Sequence, residues 1–267
     1  MNDIFDDNET MITLLIFILG LCFGSFVNAW VWRTKSGHSI VTGRSMCPHC
    51  KHQLAWYDNL PLVSYLVLQA KCRYCHKAIS AQYPLVELGT GLLFAALYWH
   101  FVPTSGVGWL VLASWCLVSV FMMAAFVYDL HYMQLPDRFM LPAITMALVL
   151  MGVNIYLLGW SAVVPQIIAT TIFGGLYFGL WFLSGGKFLG DGDIRLAIAM
   201  GLLLLVPQLL VAVFTAYLVG ALVGVGLIAT KAKKRTDPIA FGPFLIIGLY
   251  VGLLFGTQIS NWYLSLF

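Results

Sequence analysis

The chain has 267 residues, of which 61% are apolar and only 9% charged, and its formal net charge is +3. A soluble domain is nearer a quarter charged, so this much apolar side chain excludes a water-soluble globule and makes lipid the solvent. Nothing in the placement of the 14 Lys and Arg residues suggests a nucleic-acid surface, so no nucleic-acid partner is expected.

Residues 1–10, MNDIFDDNET, are acidic where a secretory signal needs a basic start, so they read as an outer tail rather than a cleavable leader. Apolar runs able to cross about 30 Å of hydrocarbon then fall near 11–32, 84–102, 107–128, 139–158, 162–183, 193–206, 208–230 and 241–262. Helices are the economical reading, because open strands would leave backbone groups unpaired in lipid. The run at 193–206 is short, about 21 Å at 1.5 Å per residue, and Pro207 marks a turn into the next. The expected fold is therefore an all-α polytopic membrane protein of about eight transmembrane helices. It divides into the outer tail (1–10), a first transmembrane helix (11–32), a cytoplasmic four-cysteine segment (33–82) and a seven-helix membrane domain (83–267).

Orientation follows from charge. With the N-terminus outside and eight crossings, the inner segments are 33–82, 129–138, 184–195 and 231–240, and together they hold all 14 Lys and Arg residues. Trp30, Trp32, Trp99, Trp109, Trp160 and Trp262 lie near helix ends, as interfacial aromatics should. The acids Asp58, Glu87, Asp129, Asp137, Asp191, Asp193 and Asp237 fall on or near the inner side, so the polar chemistry is expected there.

Residues 47–75 read CPHC, an intervening stretch, then CRYC. Cys47, Cys50, Cys72 and Cys75 make two Cys-x-x-Cys knuckles, which could close a tetrahedral zinc site. The competing reading is thiol–disulfide exchange, which a reducing cytoplasm disfavours. A segment of about 50 residues has little core of its own, so metal would stabilise it directly. His49, His52 and His76 read as solvated loop histidines.

Asp129 ends the third run and Asp193 opens the sixth, within GDGD. Carboxylates at a membrane edge are costly and usually functional. Two that approach each other would share a proton, a state suited to peptide hydrolysis. Gly190 and Gly192 bracket Asp191 and would permit positive φ and close backbone approach. Leu135–Pro136 forces extended backbone after Asp129. On spacing alone the acids also read as helix caps: Asp137, after Pro136, suits an N-cap, Asp191 suits a cap or a supporting place, and Glu87 suits a dipole partner early in the second helix. A carboxylate-dependent transporter and a membrane thiol oxidoreductase are the competing function classes, although transporters keep their acids near the midplane and within repeats.

Taken together, GLCFGSFVNAWVWR (20–33), CPHC, LAWYDNLPLVSYL (54–66), KCRYC, YPLVELGTG (83–91), YDLHYMQLPD (128–137), LGDGDIRLAIAMG (189–201) and FGPFL (241–245) resemble the type IV prepilin peptidases. These are the bifunctional leader peptidase and N-methyltransferase enzymes of type IV pilus and type II secretion systems, aspartyl proteases of the Gly-x-Gly-Asp kind. The resemblance implies a catalytic pair at Asp129 and Asp193, supported by a turn of Gly190, Asp191, Gly192 and Pro136. It associates the four cysteines with zinc and with methyl transfer. It implies a bacterial inner-membrane enzyme facing the cytoplasm, and prepilin or pseudopilin precursors as substrates. These are cut after a Gly, and the new amine is then methylated from S-adenosylmethionine. No cofactor-binding glycine fingerprint follows a strand. Gly20, Gly24, Asn28 and Arg33 are candidates for the methyl-transfer site, with helix packing the favoured reading of the two glycines.

Overall fold

The computed structural model describes residues 7–40, 42–187, 189–234 and 237–266. Most of the acidic tail, and Arg235 of the charge count, lie outside the described residues. The chain is all-helical: α1 (Asp7–Ser36), α2 (Val63–Val67), α3 (Gln82–Phe101), α4 (Gly106–Tyr132), α5 (Asp137–Leu158), α6 (Trp160–Ser184), α7 (Asp191–Leu203), α8 (Val206–Ala229) and α9 (Gly242–Leu264). Among the described residues the only strand-like pairing is two isolated antiparallel bridges, Met46 with Gln53 and Lys71 with Ala78.

Each of the eight apolar runs coincides with a helix to within a few residues. Six of these, α1, α4, α5, α6, α8 and α9, are long and apolar enough to cross a membrane. α3 has the length but carries Glu87 and a polar start, and α7 has 13 residues. Length and composition alone thus carry six spans rather than eight. Large apolar side chains face outward where a soluble protein would be polar: Leu14 and Leu15 on α1, Ile172 and Leu183 on α6, Phe214 and Leu222 on α8. That outward face suits lipid, and the protein is a multi-pass membrane protein. Trp99, Trp109, Trp160 and Trp262 are exposed as interfacial residues would be, but Trp30 is buried and packs edge-on against Phe121 at 5.6 Å.

Two compact units divide the chain, one up to Val127 and one from Tyr128. In the first, α1 and α3 pack backbone to backbone. A methyl group on Gly20 would stand 2.8 Å from the Gly91 Cα, and one on Gly24 would stand 2.6 Å from the Glu87 Cα. This is the small-residue packing of helices in lipid, where close approach replaces the hydrophobic effect as the driving force. In the second unit, Gly248, Gly252 and Gly256 of α9 repeat every four residues and take in the backbone of Ala212 and Gln208 on α8. α7 is the buried element of that unit, with Leu196, Ala197, Ala199 and Met200 fully covered. Gln166 of α6 donates to the Leu202 carbonyl at 2.6 Å, satisfying a backbone group at the end of α7. Pro207 in the first turn of α8 starts the next helix at once.

Candidate active site

Asp129 lies one turn from the end of α4, which Met133 terminates in the left-handed region at φ 49°. The helix therefore stops before Leu135–Pro136, which the sequence marks as the breaker. Asp193 is the third residue of α7. Both side chains are buried, at 5% and 9% exposure. Each meets a backbone N–H at a helix N-terminus, where such donors have no partner within the helix. Gly242 N–H, at the start of α9, donates to Asp129. Gly190 N–H donates to Asp193 Oδ2 at 3.1 Å. The two carboxylates lie near enough for their charges to interact.

The glycines act by absence of bulk rather than by unusual dihedrals. Gly190 has φ −75°, and the positive φ expected there is not adopted. A methyl group on Gly192 would stand 2.6 Å from the Leu135 Cβ, and one on Gly242 would stand 2.6 Å from Asp129 Oδ2. Leu135 therefore sits on both glycines, joining the turn after α4 to the starts of α7 and α9. Asp137 is not an N-cap. Pro136 holds that position without a side-chain bond, and Asp137 instead pairs with Arg195 at 2.8 Å. Asp191 takes the other guanidinium nitrogen at 3.1 Å, so one arginine of α7 ties its own first turn to the start of α5. All three side chains are partly exposed, which limits the ties to at most about 1 kcal/mol each.

The four cysteines converge in the first unit, with their sulfurs all within 4.8 Å of one another. The two knuckles are built alike. Cys47 N–H donates to the His52 carbonyl at 3.0 Å and Cys72 N–H to Lys77 at 2.9 Å, and the residue after each second cysteine, Lys51 or His76, is left-handed. Burial pushes the Cys47 thiol up, but N–H groups of Cys50 and His49 aimed at it bring it down to about 7. The Lys77 N–H draws Cys75 down, yet burial and the three neighbouring sulfurs push it up to about 11. Four sulfurs this close cannot all be anionic without a compensating cation. The Cys47–Cys75 separation of 3.9 Å is near the roughly 3.8 Å that tetrahedral ligands at about 2.3 Å would require. The cluster fits a metal ion. The basic neighbours are engaged elsewhere: Arg73 pairs with the buried Asp58 at 2.8 Å, and Lys51 lies over the Trp32 ring at 5.7 Å.

Two family models match the chain: the bacterial peptidase A24 N-terminal domain over residues 18–101 and the type IV leader peptidase family over residues 116–225. The prepilin leader peptidase/N-methyltransferase of Aeromonas hydrophila is 33% identical, the match covering 95% of this chain and 94% of the relative. The chain belongs to the type IV leader peptidase family. The protein of the same description from Pseudomonas aeruginosa is 30% identical over 94% of this chain and 93% of the relative, and that from Myxococcus xanthus is 37% identical over 85% and 67%. No solved structure matches the chain. The transporter and thiol-oxidoreductase readings find no support in these similarities. Asp129, Asp193 and the Gly190–Gly192 turn lie inside the type IV leader peptidase match, and the four cysteines lie inside the N-terminal-domain match.

The sequence singles out the two acids but not their neighbours. Gly242 was legible only as part of FGPFL, with no role attached. Tyr177 of α6, fully buried, lies within reach of the Asp193 charge, and its hydroxyl meets that of Tyr217 on α8 at 3.2 Å. No spacing along the chain signals that meeting. Glu87, in the second turn of α3, also accepts the Leu62 N–H at 2.8 Å and the Ser25 hydroxyl, bonds that its place on the helix does not signal.

Proposed function

We propose that this protein cleaves the basic leader from type IV prepilin or pseudopilin precursors, after a glycine, and methylates the amine so exposed. Asp129 and Asp193 are its catalytic pair, Gly190, Asp191, Gly192 and Pro136 shape the supporting turn, and the protein sits in the bacterial inner membrane. The observation that carries the reading is two buried carboxylates within each other's field, each also bonded to a helix-terminal backbone N–H. Family membership supports it independently.

The chemistry needs one proton shared by the pair. The charged carboxylate takes a proton from water as the water oxygen attacks the scissile carbonyl carbon, and the protonated partner donates to the carbonyl oxygen. Collapse of the tetrahedral adduct breaks the C–N bond as the first carboxyl passes its proton to the departing nitrogen and the partner carboxylate takes back the hydroxyl proton, leaving a carboxyl and an amine and restoring the shared proton. The backbone N–H of Gly242 and of Gly190 orients each carboxylate without consuming its second oxygen. Excluded water keeps these charge interactions strong.

Residues 33–82 form the cytoplasmic segment, with Cys47, Cys50, Cys72 and Cys75 holding zinc. When bound, zinc supplies a crosslink between the knuckles. Residues 1–10 are the outer tail, 11–32 the first transmembrane helix, and 83–267 the peptidase domain. The N-terminus is outside, the acids face the cytoplasm, and S-adenosylmethionine supplies the electrophilic methyl group. The test is a synthetic precursor incubated with the full chain in detergent, with mass spectrometry of the new amino terminus. Loss of the leader and a gain of one methyl support the reading, and an uncut precursor contradicts it.

A further inference from the structure

The first unit contains a cavity of about 490 Å³ along α1, walled by residues from 22–33, by Ile40, by residues from 45–61 and by Tyr83. Its size falls in the range of roughly 300–1,000 Å³ used for cofactor-sized ligands. It is not a packing void, because three polar side chains fasten its wall. Arg33 donates to the carbonyls of Ile40 at 2.8 Å and Gly43 at 3.0 Å, holding the segment after α1. Asn28, only 3% exposed, donates to the Tyr83 carbonyl at 3.1 Å. Glu87 accepts Leu62 N–H at 2.8 Å, fixing a residue at φ 59° directly after the lining residues Leu60 and Pro61, and it also holds Ser25 of the lining.

We infer that this cavity binds S-adenosylmethionine, an inference that rests on the methyl-transfer reading above. The ligand carries an aromatic base, a carboxylate and a sulfonium, and the wall offers a partner for each of these. The Tyr83 ring suits the base, and Trp32, stacked on His38 at 5.2 Å, already holds the Lys51 ammonium over its ring, a place that suits a sulfonium. Arg33 keeps N–H groups that its carbonyl bonds do not use, and these suit a carboxylate. The Asn28 amide, which donates to Tyr83 and accepts from Gln82 at 3.5 Å, keeps one further N–H. Alkyl chains of lipid would match none of these polar groups. The cavity lies within the residues matched by the N-terminal-domain model and among none of the residues around Asp129 and Asp193.

The test uses the full-length protein in detergent with 8-azido-S-adenosylmethionine, ultraviolet light and mass-spectrometric mapping. Labelling within 22–33, at Ile40, within 45–61 or at Tyr83, competed by unlabelled S-adenosylmethionine, is expected. Labelling confined to residues after 127, or labelling of the cavity that no competitor reduces, overturns the inference. Ala29→Leu fills the cavity, and its Kd for radiolabelled S-adenosylmethionine is expected to rise about tenfold or more. An unchanged Kd contradicts the assignment, precursor cleavage by the same variant reports that it is folded, and the label map on the wild-type protein decides if it is not. A wild-type protein that methylates precursor while labelling elsewhere refutes the cavity and leaves methyl transfer standing. One that cleaves but never adds a methyl refutes both.

Discussion

At the scale of single residues, the two acids depend on neighbours with no side chain. Gly242 lets the first N–H of α9 reach Asp129, and a methyl group there would stand 2.6 Å from the carboxylate oxygen. Gly242→Ala is expected to displace that carboxylate and lower precursor cleavage by about 10–100-fold, since misplacement of about 1 Å at a reacting group has that effect. Steady-state cleavage with helicity by circular dichroism checks it, the helicity staying at the wild-type level. Gly192→Ala pushes on Leu135 instead, so it should destabilise by about 1–3 kcal/mol, and Leu135→Ala in the same chain should recover part of the loss in a thermal melt. The acids themselves were legible, because two carboxylates at membrane edges are expensive enough to need a reason. Their glycine contacts were not. Gly242 lies far along the chain from Asp129, and only the packing of helix ends joins them. Asp137 misled for a related reason: proline took the cap, and the carboxylate found Arg195 on another helix.

At the scale of elements, the cysteine segment and the helix pairs obey different physics. The knuckles are closed by short backbone bonds around four convergent thiols, and Asp58 binds both Arg73 and the Tyr74 hydroxyl, tying the short helix at Trp56–Asn59 to the second knuckle. With so little apolar core, metal should decide whether the segment holds its shape. Purified protein is expected to carry one zinc. Cys47→Ser with Cys72→Ser should abolish it and speed proteolysis within residues 42–80 by about tenfold or more, whereas the same metal content in that variant would contradict the assignment. The spacing of the four cysteines signals their convergence, which the structure shows. Glu87 was not announced: a glutamate in the first third of a helix reads as a dipole partner, and its bond to Leu62 depends on a loop that returns across α3. The small-residue stripes of α1 and α9 were partly legible, Gly20 and Gly24 by their four-residue spacing, their partners not at all.

At the scale of the whole molecule, lipid dictates the pattern. The eight apolar runs were readable because a helix in a bilayer must be apolar over its length, and each coincides with a helix. The shortness of α7 and the polarity of α3 are what composition leaves open, since buried helices need not meet the standard of a lipid-facing span. Orientation rests on the basic residues. Ser105→Cys, before α4, is expected to react with a membrane-impermeant maleimide on intact spheroplasts, and Lys187→Cys, after α6, only once the membrane is opened. The reverse pattern would place the acids outside and contradict the orientation.

The decisive measurement is cleavage of a synthetic precursor by the wild-type protein, Asp129→Asn and Asp193→Asn, each inserted and purified alike. If the pair shares the work of hydrolysis, each single change lowers the rate by about a thousandfold or more while the variants keep their helicity. Cleavage at the wild-type rate by either variant would contradict the assignment.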